Sequence, residues 1–139
     1  MIDNELQASW LTAFAPPRKT NIVEWCESSI VLPSSNAEPG PLKFSSYQRT
    51  LVEAFADPEA ETLVYMLASQ TGKSLALDSA LLWAIANSPG PSLLVHPSEG
   101  KATDYCKNRL DPLLQSTASI RELIGQGARQ GCSVLNIWR

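Results

Sequence analysis

Thr62-Leu63-Val64-Tyr65-Met66-Leu67-Ala68-Ser69-Gln70-Thr71-Gly72-Lys73-Ser74 starts as an apolar, β-prone run and turns through small and polar residues. It ends on Gly-Lys-Ser at the head of a helix-forming segment, Leu75 to Asn87. Strand, tight turn, Gly-Lys-Ser and helix, in that order, is the arrangement of a phosphate-binding loop. The backbone N–H groups of such a turn and of the helix N-terminus carry partial positive charge, which suits a polyphosphate. Gly72 lets the backbone approach the phosphates, Lys73 places an ammonium on the β and γ phosphates, and Ser74 offers its hydroxyl to Mg²⁺. The usual pattern is G-x-x-x-x-G-K-[ST]; here Leu67 stands where the first glycine would be.

Downstream, Ser88-Pro89-Gly90-Pro91 is a turn, and Ser92-Leu93-Leu94-Val95-His96 reads as a short apolar strand closed by Pro97. Strand, helix, strand predicts two parallel strands joined by a right-handed crossover. The expected fold is therefore α/β: a phosphate-loop NTPase-like parallel sheet flanked by helices, incomplete within this chain. The Thr62–Leu67 strand is expected beside one near Leu93–Val95. The helix Lys73–Asn87 should pack across them and bury Leu77, Leu81, Ala84 and Ile85. His96, the single histidine, reads as a structural strand-end residue, since no acidic partner or serine nucleophile is arranged around it.

Upstream, Ser45 or Ser46 caps an expected helix Tyr47–Ala56 that ends at Asp57-Pro58. Tyr47 and Gln48 open it, about one helix before the phosphate loop. An amide at that place can donate to adenine N7 and accept from N6, and a tyrosine can pack on the base; an ordinary helix start accounts for the same residues. Asn21, with Glu24 three residues on, predicts another helix, and Asn4 to Phe14 a further short one before Pro16-Pro17. The organisation expected is a helical and loop region over 1–41 and a partial ATPase domain over 42–139. Ser98 to Arg109 and Ser119 to Ile124 read as helices, and Ser133 to Trp138 as one more strand.

With 139 residues and 44% hydrophobic content, the chain is long enough and apolar enough for a globular core. The net charge of -3 is uneven: residues 1–99 are acidic on balance and residues 100–139 basic, so the latter end suits either nucleic acid or a solvated helix face. Cys26, Cys106 and Cys132 form no C-x-x-C, which favours free thiols in a reducing cytoplasm and no metal site. The most apolar helix carries Asp78 and Ser79 and is too short to span a bilayer.

Taken in order, several pieces resemble one family. They are Val23-Glu24-Trp25, Glu38-Pro39-Gly40, Tyr47-Gln48-Arg49, Ala68 to Ser74, Ser88-Pro89-Gly90-Pro91, Val95-His96-Pro97-Ser98, and Asn108-Arg109-Leu110 with Pro112. Over roughly Trp10 to Ile124 the sequence resembles the N-terminal part of the phage terminase large subunit of the GpA type, the ATPase that pumps DNA into proheads. Such terminases often lack the first glycine of the loop, so Leu67 fits. The tail from Gly125 to Arg139 fits poorly, and the chain reads as an amino-terminal fragment.

The resemblance implies ATP and Mg²⁺ as ligands. Tyr47 and Gln48 would hold adenine, Gln70, Thr71, Gly72 and Lys73 would cradle the phosphates, and Ser74 would bind Mg²⁺. It implies double-stranded DNA, a small terminase subunit and the portal of the prohead as partners, a homo-oligomeric working motor, no membrane, and the host cytoplasm as its place. An endonuclease would follow in a C-terminal part. Two other readings stay open: a helicase-like phosphate-loop ATPase, and a truncated non-catalytic nucleotide-binding or interaction module. After Ser74 the acidic residues are Asp78, Glu99, Asp104, Asp111 and Glu122. None follows an apolar strand, where the metal-holding carboxylate of such an ATPase is expected.

Overall fold

The first described helix, α1 (Ile22–Ser29), begins where Asn21 can cap it: Asn21 Oδ1 accepts from the backbone N–H of Val23 at 2.9 Å and of Glu24 at 3.4 Å. The computed structural model describes residues 20–88 and 90–124. The expected helix Asn4–Phe14 and strand Ser133–Trp138 lie outside them. After α1, β1 (Val31–Leu32) pairs antiparallel with β2 (Gly40–Pro41), Val31 opposite Pro41 and Leu32 opposite Gly40. Then come α2 (Ser46–Phe55) and α3 (Lys73–Asn87). The chain continues through α4 (Glu99–Tyr105), a π-helical turn (Cys106–Leu110), α5 (Asp111–Ser116) and α6 (Ala118–Ile124).

α3 is the hub, in contact with α1, α2 and α6. One buried cluster joins Ile22, Val23, Cys26, Leu42, Val52, Ala76, Ala80, Leu82 and Ile120, so residues on both sides of position 41 share a core. Leu82 and Ile120 are wholly buried, and each such side chain contributes about 1.5–3 kcal/mol. α1 lies close enough to α3 for Cys26 Sγ to donate to Ser79 O at 3.5 Å. Small residues at 76, 79 and 80 allow that approach. Burial pushes the Cys26 thiol up to about 12, with help from the Glu27 charge. Cys106 is disulfide-bonded, so the free-thiol reading holds for Cys26 and not for Cys106.

The parallel sheet is the main correction. Neither Thr62–Leu67 nor Leu93–Val95 makes a strand ladder, and among the described residues the only sheet is the β1–β2 pair. Val64, Met66, Leu93 and Val95 are exposed, Met66 at 90%. The physical reason is that parallel strands need cover on both faces. Two short strands alone are marginal, and the described helices gather around α3 instead. The same cause changes the buried face of α3. Ala76, Asp78, Ser79, Ala80 and Leu82 are buried, while Leu77 is 45% exposed and Leu81, Ala84 and Ile85 are half-buried. The apolar residues meant for a sheet find none, and the small-residue side takes the helices. The segment before the phosphate loop is tethered at one point, where Tyr65 Oη donates to Leu51 O of α2 at 2.6 Å.

Among the described residues no helix is long and apolar enough to cross a membrane. Urea unfolding of the chain should separate the two kinds of apolar residue. Leu82→Ala should cost about 2–5 kcal/mol through the cavity it leaves, whereas Met66→Ser should change stability by under about 0.5 kcal/mol. A large loss for Met66→Ser would show that the 62–67 run is packed after all.

Candidate functional site

Gly72 is where loop becomes helix. It holds φ 78°, ψ 13°, the left-handed region that favours glycine. A Cβ there would stand 2.1 Å from Gln48 Nε2, so Gly72 is required twice, by backbone angle and by close approach. Gln70, at φ 60°, is also left-handed, which a non-glycine residue adopts at some cost. The loop closes on itself: Thr71 Oγ1 donates to Ala68 O at 3.0 Å. Lys73 Nζ folds back onto the carbonyls of Leu67, at 3.4 Å, and Ala68, at 3.1 Å.

α3 starts on a glycine, which has no side chain to cap the first-turn N–H groups. Those donors, with the macrodipole of a 15-residue helix behind them, face the loop's mouth. The Ser74 hydroxyl, next to Lys73, makes no hydrogen bond among the described residues. Orphan donors, a flexible cation and a free hydroxyl fit a polyphosphate with Mg²⁺. No group of three metal-ligating side chains exists among the described residues, so Mg²⁺ would come with the phosphates and take Ser74 as its protein ligand.

α2 brings Tyr47 and Gln48 to the same loop. Tyr47 Oη donates to Thr71 O at 2.6 Å, and Gln48 Nε2 donates to that oxygen at 3.4 Å. Gln48 Oε1 accepts from Ser45 N and Ser45 Oγ, both at 2.9 Å, as the reciprocal half of a capping box. The amide thus spans its own helix start and the phosphate loop. Behind it, the Glu27 carboxylate of α1 accepts from Arg49 Nη2 at 2.9 and 3.0 Å and from Phe44 N at 3.0 Å, fixing where α2 begins. The structure therefore brings together Tyr47, Gln48, Gln70, Thr71, Gly72, Lys73 and Ser74.

A second constellation went unread in the sequence. Asp78 lies one turn after Ser74 on α3 and is only 2% exposed. It accepts from Tyr105 Oη, and from Arg109 Nε at 2.9 Å. His96 meets Tyr105 in a tilted ring contact with centroids 4.6 Å apart, and its buried Nε2 has no hydrogen-bond partner among the described residues. Desolvation holds the Asp78 carboxyl above its ordinary value, while Arg109 and then His96 pull it down. The signal available was a charged residue inside an apolar helix, which has to be buried with partners or turned to solvent. The 105/109 spacing of Tyr and Arg, one helical turn, supplies those partners.

A loop-to-helix junction with orphan N–H donors, a lysine and a free hydroxyl defines a candidate nucleotide-phosphate site. The chain matches the family described as phage terminase large subunit gpA, ATPase domain, over residues 36–136. It belongs to that family. Neither the comparison with curated proteins nor that with solved structures gave a match.

The raised Asp78 pKa carries a sign. The folded chain takes up this proton more readily than the unfolded chain, so the contribution of Asp78 to stability rises as pH falls from neutral through the raised value. The rise is complete below the ordinary value of 3.8. The stability difference between wild type and Asp78→Asn, followed by urea unfolding at several pH values, should therefore shift in favour of wild type as pH falls. A difference independent of pH would show that Asp78 does not titrate in that window.

Proposed function

We propose that this chain is the ATP-binding part of a phage DNA-packaging motor, in which ATP hydrolysis drives double-stranded DNA into the prohead. The observation that carries the reading is the convergence of Tyr47 and Gln48 from α2 on the Thr71 carbonyl of the loop that Gly72, Lys73 and Ser74 complete. An adenine-side pair and a phosphate-side loop then serve one ligand. The small terminase subunit, the portal and further copies of the large subunit are the proposed partners, in the host cytoplasm. Cleavage of DNA is proposed for sequence beyond this chain.

The residues would divide the work as follows. Lys73 leaves the carbonyls of Leu67 and Ala68 for the β and γ phosphates, exchanging neutral acceptors for charged ones, which form stronger bonds. The backbone N–H groups from Gln70 to Ser74 line the phosphates. Mg²⁺, when bound, neutralises phosphate charge, and Ser74 holds it. Gln48 has one amide N–H left for adenine N7; to accept from adenine N6 its Oε1 gives up Ser45 Oγ. Tyr47, 47% exposed, offers its ring to the base while its hydroxyl stays on Thr71 O.

Turnover needs a carboxylate at a strand end and another to orient water. Asp78 is spent on Tyr105 and Arg109, and Asp104 and Asp111 lie at α4 and at the start of α5. The expected behaviour of this chain is at most weak Mg-ATP binding, without hydrolysis. Mg-ATP should raise its Tm in thermal unfolding, and Lys73→Ala should lose that shift while keeping the circular dichroism spectrum. Gln48→Ala should narrow the preference for ATP over GTP. Phosphate release above the Lys73→Ala level, with or without DNA, would mean that one of these carboxylates acts after all. No Tm shift with any nucleotide would remove the nucleotide reading.

A further inference from the structure

An open cavity of about 700 Å³ lies away from the phosphate loop, with no residue of 67–74 lining it. The loop between β1 and β2 brings Ser35 and Asn36 to it. α4 and the π-helical turn bring Lys101, Asp104, Asn108 and Arg109. His96 and Tyr105, in ring contact, also line it. Its size is that of a ligand site, and every residue lining it except Pro97 carries a polar group.

Arg109 decides its chemistry. The Nε of the guanidinium is fixed on the buried Asp78 carboxylate at 2.9 Å, while the side chain remains 46% exposed. The terminal nitrogens make no hydrogen bond among the described residues. An arginine anchored through Nε and open at its fork is preorganised for a phosphate oxygen pair. Lys101 adds a second cation on the same cavity, and Asn108 and Asn36 add amide donors. Asp104 on the same cavity and the Asp78 carboxylate bonded to Arg109 offset the two cations, so the site acts through the placing of its donors rather than through net charge. A phosphodiester, with one negative charge, meets less repulsion from Asp104 than free phosphate, which carries more. The Tyr105 ring is engaged by His96 in a tilted contact.

We propose that this cavity is a DNA-backbone site, in which Arg109 and Lys101 take a phosphodiester of double-stranded DNA. The proposal rests on the reading of the chain as part of a DNA-packaging motor. It also gives the buried network a use: Asp78 ties the phosphate-gripping arginine to α3, the helix that carries Lys73 and Ser74. With a net charge of -3, the chain as a whole repels DNA, so binding depends on a local site of this kind.

The test is fluorescence anisotropy of a short labelled duplex against the whole chain over a range of salt concentrations. It compares wild type with Lys101→Ala, and with Lys107→Ala as a control outside the cavity. Lys101→Ala should weaken binding and lower the slope of log K against log salt by about 1; Lys107→Ala should leave the slope at the wild-type value. Equal loss in both variants would mean diffuse attraction and overturn the site, as would an unchanged Lys101→Ala. Inorganic phosphate should displace DNA no better than chloride at equal ionic strength; stronger displacement would make this a free-phosphate site instead. The Mg-ATP melting shift, measured on the same samples, should persist in Lys101→Ala. Its absence from wild type would defeat the nucleotide reading alone, and the salt slopes would still decide this one.

Discussion

A carboxylate buried in an apolar helix has to be matched, and the matching of Asp78 organises the second half of the described chain. An unpaired carboxylate at 2% exposure would cost several kcal/mol or stay protonated. Tyr105 and Arg109, four residues apart, supply the two donors, so α4 and the π-helical turn are joined to α3 through these two side chains. The wide turn ends where Asp111-Pro112 begins α5; proline has no N–H to continue the preceding helical pattern. π turns of this sort recur at functional sites, and this one carries an arginine with its fork in solvent. Breaking the ion pair would leave α4 with few other holds, since it buries no residue of its own.

The phosphate loop obeys a related rule with backbone groups in place of a charge. Its carbonyls at Leu67, Ala68 and Thr71 are all met by side chains: Lys73, Thr71, Tyr47 and Gln48. A loop so satisfied holds its shape before any ligand arrives, which lowers the ordering cost on binding. The same contacts set a threshold. A phosphate would have to compete with two carbonyls for Lys73, and would win only because a charged acceptor outweighs neutral ones. Gly72 is the pivot, since any side chain there would drive Gln48 off Thr71.

Local rules in the sequence marked the helices well. Asn21 and Ser45 cap where their side chains fit, Lys73–Asn87 forms as one helix, and Ser98 opens α4 by accepting from Lys101 N. The residues proposed for the phosphates could be read as one group because they lie within a short stretch whose geometry is set by one glycine and one helix start. The sheet was not, because a strand's existence depends on partners at long range, and periodicity reports only that a segment is apolar. Val64 and Val95 read as buried strand residues, yet each is 77% exposed. The face of α3 was misread for the same reason. Leu77 and Ile85 were expected inside, but closeness of approach to α1 and α2 decided the burial in favour of Ala76 and Ala80, and small residues win where helices touch.

Asp78 shows how the two sites bear on each other. Ser74 and Asp78 are four residues apart, so they share one face of α3 on consecutive turns. The first turn of that helix meets the proposed phosphates, and the second holds Arg109. A helix moves as a rigid rod over so short a distance, so a shift of α3 on nucleotide binding reaches Arg109 through two side-chain bonds rather than through a long chain of contacts. By linkage, a ligand that holds Arg109 more firmly in one position of α3 must also favour the nucleotide state with that position, and by the same factor. The burial that raises the Asp78 pKa gives this link its stiffness: in a low-dielectric setting the bond from Arg109 is strong while made and costly to lose. The buried carboxylate is thus the element through which the proposed nucleotide site and the proposed DNA-backbone site, if both are filled, would sense each other.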